Sequence, residues 1–79
     1  MQENNERKMK EIGGRLKTAR TKFVKKSRAK VEKELNLPKY SVKNYEDKYS
    51  TSLYVWKFCK KYPINLAWIM EGDPHPPVK

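Results

Sequence analysis

Met9, Ile12, Leu16, Ala19 and Phe23 recur at spacings of three, four, three and four residues. At about 100° per residue, that spacing places all five on one stripe of an α-helix. No competing period exists in the chain: no apolar-polar alternation lasts long enough for a convincing strand, and no internal repeat is visible. The stripe predicts a first helix over about residues 8–25. The Gly13-Gly14 pair inside it costs about 1 kcal/mol per glycine relative to alanine, which points to close packing or a bend at that place. Residues 1–8 lack apolar periodicity and read as a flexible amino-terminal arm.

Punctuation residues divide the rest of the chain. Ser27 is an N-cap for a second helix reaching Leu35, with Val31 and Leu35 turned inward, and Asn36 suits the left-handed position that ends it. Leu37-Pro38 then resets the backbone, since proline drives its predecessor toward extended geometry and is preorganised for a first helical turn. The result is a helix, a three-residue turn and a third helix from about Pro38 to Asp47. Tyr49-Ser50-Thr51-Ser52 breaks that helix and caps a fourth, about 52–62, with Val55, Phe58, Cys59 and Tyr62 as its buried stripe and Pro63 as its stop. Asn65 caps a last helix, Leu66 to Glu71, with Gly72 at its carboxyl end; the Pro-rich residues 73–79 read as an extended tail or linker. A chain of 79 residues is too short for two separate cores, so the expected fold is all-α, one compact five-helix bundle over residues 9–72.

Nineteen Lys and Arg against nine Asp and Glu give a formal charge of +10, beyond what solubility requires, so a polyanionic partner is expected. The inventory argues against an enzyme and against a metal or other cofactor, because such sites need several convergent His, Cys, Asp or Glu groups. His75 lies between prolines in the tail and reads as solvated; Cys59 reads as a small buried hydrophobe, and without a second thiol it fits a reducing cytosol. Gly13-Gly14 lacks the lysine and hydroxyl of a phosphate loop. Apolar runs are far shorter than the ~20 residues that span a bilayer, and the amino terminus is not signal-like, so a cytoplasmic, nucleoid-associated protein with no membrane partner is expected.

Between Ile12 and Val31 stand eight basic residues, Arg15, Lys17, Arg20, Lys22, Lys25, Lys26, Arg28 and Lys30, and no acidic one. Solvated helix faces normally interleave both signs; one-signed charge beside a helix-turn-helix suits phosphates, whose neutralisation releases counterions and gives affinity without sequence information. Lys25, Lys26, Arg28 and Lys48 are the phosphate-contact candidates. Sequence information needs a helix in the major groove, and the third helix is the candidate. Val42 and Tyr45 define its inward side, leaving Tyr40, Lys43, Asn44 and Asp47 outward with Lys39 at the leading end. Lysine suits guanine acceptors and asparagine pairs with adenine. Tyr40 either lays its ring on a thymine methyl, or is an exposed ring or a phosphate contact. Asp47 either lies beyond the groove or accepts from a cytosine amine.

Arg28 through Lys48, RAKVEKELNLPKYSVKNYEDK, resembles the helix-turn-helix of the phage-repressor (Cro/CI, XRE-like) class, with Val31, Leu35, Leu37, Val42 and Tyr45 at its five apolar positions. The later stretch, Phe58-Cys59 and then Ile64 to Asp73, is similar to the ending of the phage CI-repressor amino-terminal domain, where an Asn-capped, Trp-containing helix leads into a glycine. With helix one the resemblance covers about residues 9–74. It implies a lambda-repressor-like fold and a bacterial or phage-encoded transcriptional regulator binding double-stranded DNA, commonly as a homodimer on a two-fold symmetric operator. The Pro-rich tail also reads as a place from which a separate carboxyl-terminal oligomerisation or ligand-sensing domain continues beyond residue 79. Three positions depart from the family pattern. Arg28 replaces a phosphate-reaching glutamine. Asn36 replaces the turn glycine. Glu32 stands where the family has alanine or glycine, and is expected to lean out toward Lys39 or Lys43.

The leading expectation is thus a sequence-specific repressor. Two alternatives compete with it. One is a sequence-indifferent polycation that coats nucleic acid. The other is a protein-interaction module, such as an antitoxin-like partner, with Leu53 and Trp56 exposed on helix four; the opposing expectation is that these two residues complete the core.

Overall fold

A computed structural model describes the backbone of residues 2–79 and the side chains of residues 7–79. Its elements are α1 (Gln2–Thr18), a π-helical segment (Ala19–Val24), α2 (Arg28–Glu34), α3 (Ser41–Asp47), α4 (Ser52–Lys61) and α5 (Leu66–Glu71). The all-α, five-helix expectation is met, with one isolated bridge between Ile64 and Val78.

The stripe of α1 does what its spacing requires at its centre, where Ile12, Leu16 and Ala19 are buried. Its ends depart. Met9 and Phe23 are exposed, and for Phe23 the cause is the π segment, whose wider turn rotates the ring off the stripe and sets it edge-on to Trp68 at 6.3 Å. Residues 2–8, which the sequence alone presents as a flexible arm, are the first turns of α1. Lys25, left-handed at φ 59°, ends the π segment.

Capping residues fall where the sequence places them. Ser27 accepts from the Lys30 N–H at 3.1 Å, Thr51 from Tyr54 at 3.1 Å and Asn65 from Ala67 at 3.0 Å, each satisfying a donor that a helix start leaves open. Asn36 is left-handed at φ 57°. The third helix does not begin at Pro38. Tyr40 takes a left-handed φ of 70°, which a continuous right-handed helix cannot accommodate, so α3 starts at Ser41 and residues 35–40 form a longer connection than three. Ser41 closes that turn through its N–H and hydroxyl, both donating to the Pro38 carbonyl.

Helix α1 packs on α3 and α5, α2 on α3, and α4 on α5. Leu16, Val31, Val42, Phe58, Ile64 and Ile69 have no exposed surface, and Tyr45 stacks on Tyr54 with centroids 4.4 Å apart. The Gly13 backbone meets α3: an added Cβ would lie 3.2 Å from the Tyr45 oxygen, 3.1 Å from the Glu46 carbonyl carbon, and closer still to the Glu46 oxygen. Close packing, rather than a bend, explains this glycine. The Pro-rich tail also differs from expectation. It folds back on the bundle, with Asn65 N–H donating to Pro77 O at 2.8 Å, Asn65 Nδ2 to Pro76 O at 2.9 Å and Lys79 N–H to Pro63 O at 3.1 Å.

Candidate nucleic-acid interface

Helix α3 has two unlike sides. Val42 and Glu46 are buried and Tyr45 half-buried, while Lys43, Asn44 and Asp47 are exposed. Lys39 and Tyr40 are exposed too, but in the turn before the helix rather than on its first turn. Lys39 Nζ lies 5.1 Å from the Tyr40 ring centroid. All four base-contact candidates are therefore exposed. A cleft of about 280 Å³ between α2 and α3 is lined by Arg28, Ala29, Glu32, Lys39, Tyr40 and Lys43; Asn44 stands outside it.

Glu32 corrects an expectation. It does not lean out toward Lys39 or Lys43; it is buried, and its Oε2 accepts the Val42 N–H at 3.1 Å. The reason is local. Tyr40, at the N-cap position of α3, supplies no side-chain acceptor, so the helix start has an open donor and a partial positive charge that a carboxylate satisfies.

Beneath α3 lies an ionic cluster that the charge count does not announce. Glu46, with no exposed side-chain surface, accepts from Arg20 Nε at 2.6 Å, Arg20 Nη2 at 3.3 Å and Arg28 Nε at 3.1 Å. Arg20 Nη1 also donates to the Lys26 carbonyl at 2.9 Å. One carboxylate thus ties the end of the first helix and the start of α2 to α3. A signal for it does exist in the sequence: Glu46 follows Val42 by four and Arg20 follows Leu16 by four, so opposite charges stand on two inward stripes. Asp47 finds its partner here as well, with Arg28 Nη2 3.6 Å away.

The phosphate-contact candidates divide. Lys25 and Lys48 are exposed at the ends of the π segment and of α3. Lys26 is engaged within the fold: its Nζ donates to both Glu34 oxygens at 2.7 and 2.8 Å and lies 5.2 Å from the Tyr62 ring centroid. Arg28 is half-buried against Glu46 and Asp47. Arg15 is likewise committed, donating to the Ile69 carbonyl at 3.0 Å. Four of the eight cations in the basic run, Arg15, Arg20, Lys26 and Arg28, hold the fold together, and Lys17, Lys22, Lys25 and Lys30 remain at the surface.

Glu34 completes the neighbouring cluster by accepting the Tyr62 hydroxyl at 2.6 Å. The Lys26 and Tyr62 hydrogen bonds hold its carboxyl below the ordinary value, while burial and the same carboxylate push the Tyr62 phenol up. Burial pushes the Cys59 thiol up to about 11, which suits a packed side chain rather than a nucleophile. His75 faces Glu71 at 3.3 Å. Among the described residues no helix is long and apolar enough to cross a membrane. Leu53 and Trp56 do not complete the core; both are exposed on α4, because the stripe of Tyr54, Val55, Phe58 and Cys59 fills the inward side. The chain matches no family model, no curated protein and no solved structure.

Proposed function

We propose that this chain is a sequence-specific double-stranded-DNA-binding domain, a non-enzymatic transcriptional regulator of phage-repressor type, whose α3 edge enters the major groove. The observation that carries this reading is the division of α3. Lys43 and Asn44 stand exposed beside Lys39 and Tyr40, while the opposite side is fixed by Val42 and by the Glu46 carboxylate between two arginines. Base readout needs donors on an exposed edge held rigidly from behind. Lys25 and Lys48, exposed at the ends of the π segment and of α3, are the side chains that contact phosphate in this reading, and Arg28 acts mainly as a positioning residue. Two copies on a symmetric operator, one helical turn apart, fit a module of this size.

Titration of variants against a duplex recovered by selection tests the roles. Lys43→Ala and Asn44→Ala should each weaken that site by about 1–3 kcal/mol and leave unrelated duplexes nearly unaffected. Lys25→Ala and Lys48→Ala should weaken all duplexes alike and reduce the salt slope by about 1. Equal losses in both groups would contradict the assignment.

A further inference from the structure

Helix α4 presents a second surface, and it shares no residue with the α2–α3 cleft. Leu53 is 61% exposed, Trp56 50% and Leu66 of α5 43%. Single exposed apolar residues are ordinary, but these are contiguous: Leu53 and Trp56 are one turn apart, and Trp56 and Leu66 line one cleft of about 240 Å³ with Cys59, Lys60 and Lys79. The rim is cationic. Helix α4 contains Lys57, Lys60 and Lys61 and no acidic residue, and Lys60 Nζ lies 4.6 Å from the Trp56 ring centroid, beside the apolar surface.

We propose that this α4–α5 surface docks an acidic peptide segment of a partner protein, with a Leu- or Phe-like side chain seated between Trp56 and Leu66 and flanking carboxylates on Lys57, Lys60 and Lys79. Charge complementarity selects this occupant. A second copy of a chain carrying +10 would set lysines against lysines on this face, whereas an acidic segment meets Lys60 and Lys79 on the lining of the cleft, Lys79 Nζ also donating to the Cys59 carbonyl at 2.9 Å. Shape argues in the same direction, because a concave cleft receives an inserted side chain, whereas a bilayer is met by a convex or flat apolar face. Tryptophan is also among the residue types enriched as interface anchors. Docking at this surface does not depend on DNA binding.

The test is a titration of the isotope-labelled full chain with a synthetic peptide of Asp and Glu interspersed with Phe and Leu, followed through backbone amide shifts. A control peptide has the same acid content and serine in place of Phe and Leu. Saturable shifts should centre on Leu53, Trp56, Lys60 and Leu66, and the control should bind at least about tenfold more weakly. Leu53→Ser with Leu66→Ser should lower affinity about tenfold, and so should Lys57→Gln with Lys60→Gln, which leaves apolar packing untouched. Duplex binding should stay unchanged in the apolar pair. Four results would each overturn the proposal: no saturable shift up to about 1 mM peptide, equal binding of the control, the same shifts on concentrating the chain alone, or tighter binding to phosphatidylglycerol vesicles than to the peptide.

Discussion

The Glu32 carboxylate accepts the Val42 N–H at 3.1 Å, so a side chain of α2 caps the start of α3 across the connection between them. This bond fixes the leading end of the proposed recognition helix at the point where Tyr40 offers no cap. Glu32→Ala should cost about 1–3 kcal/mol, the range for a buried donor left unsatisfied. Glu32→Gln, which keeps an acceptor, should cost less. Urea unfolding of the two variants checks this, with amide exchange at Val42 and Lys43 reporting whether α3 frays. Equal stability of Glu32→Ala and the parent would show that the cap contributes nothing.

Glu46 is the member of the ionic cluster with no solvent access; removing its charge leaves the buried Arg20 uncompensated, and removing Arg20 leaves Glu46 with the partly exposed Arg28 alone. Arg20→Met or Glu46→Gln should therefore destabilise by about 3–5 kcal/mol. Arg28→Ala should cost much less, since its side chain is 31% exposed and water screens it. Denaturant midpoints of the three variants give the comparison. A ranking with Arg28 first would contradict the geometry.

The adjacent glycines should respond in opposite directions. Gly13→Ala drives a methyl into the Glu46 carbonyl, a backbone group that cannot step aside without moving α3, and should destabilise. At Gly14 a Cβ meets nothing within 4 Å, so Gly14→Ala should stabilise by about 1 kcal/mol through helix propensity alone. Thermal midpoints of the two single variants separate the effects.

Acid pH should weaken the fold through Glu34. Its carboxyl is held below the ordinary value of 4.5, so between that lowered value and 4.5 the unfolded chain binds more protons than the folded one. The contribution is complete above 4.5 and is lost as pH falls through the folded value. Glu34→Gln should accordingly show a smaller loss of stability than the parent between about pH 5 and pH 3, measured by urea midpoints. Identical pH profiles would show that the Lys26 and Tyr62 bonds do not stabilise the carboxylate.

Helix number and most boundaries are legible in the sequence because they rest on local chemistry. Ser27, Asn36, Thr51 and Asn65 act within their own turns, and the stripe of Val55, Phe58, Cys59 and Tyr62 is buried as its spacing requires. Features that escape a sequence depend on contacts remote along the chain. Residues 73–79 look like a linker because proline spacing does not reveal that Asn65 and Pro63 offer them hydrogen bonds. Lys26 and Arg28 look like phosphate contacts on charge alone, and charge does not disclose that Glu34 and Glu46 already face them. Lys39, Tyr40, Lys43 and Asn44 are exposed, as their spacing leads one to expect, although the left-handed Tyr40 moves the first two off the helix.

Selection of bound duplexes from a random pool by the full chain is the most direct measurement of whether α3 reads bases. Recovery of a shared motif, arranged as an inverted repeat and lost when Lys43 and Asn44 are both changed to alanine, is the predicted result. A recovered pool no different from the input, with unrelated duplex and single-stranded RNA competing equally well, would contradict base reading by α3.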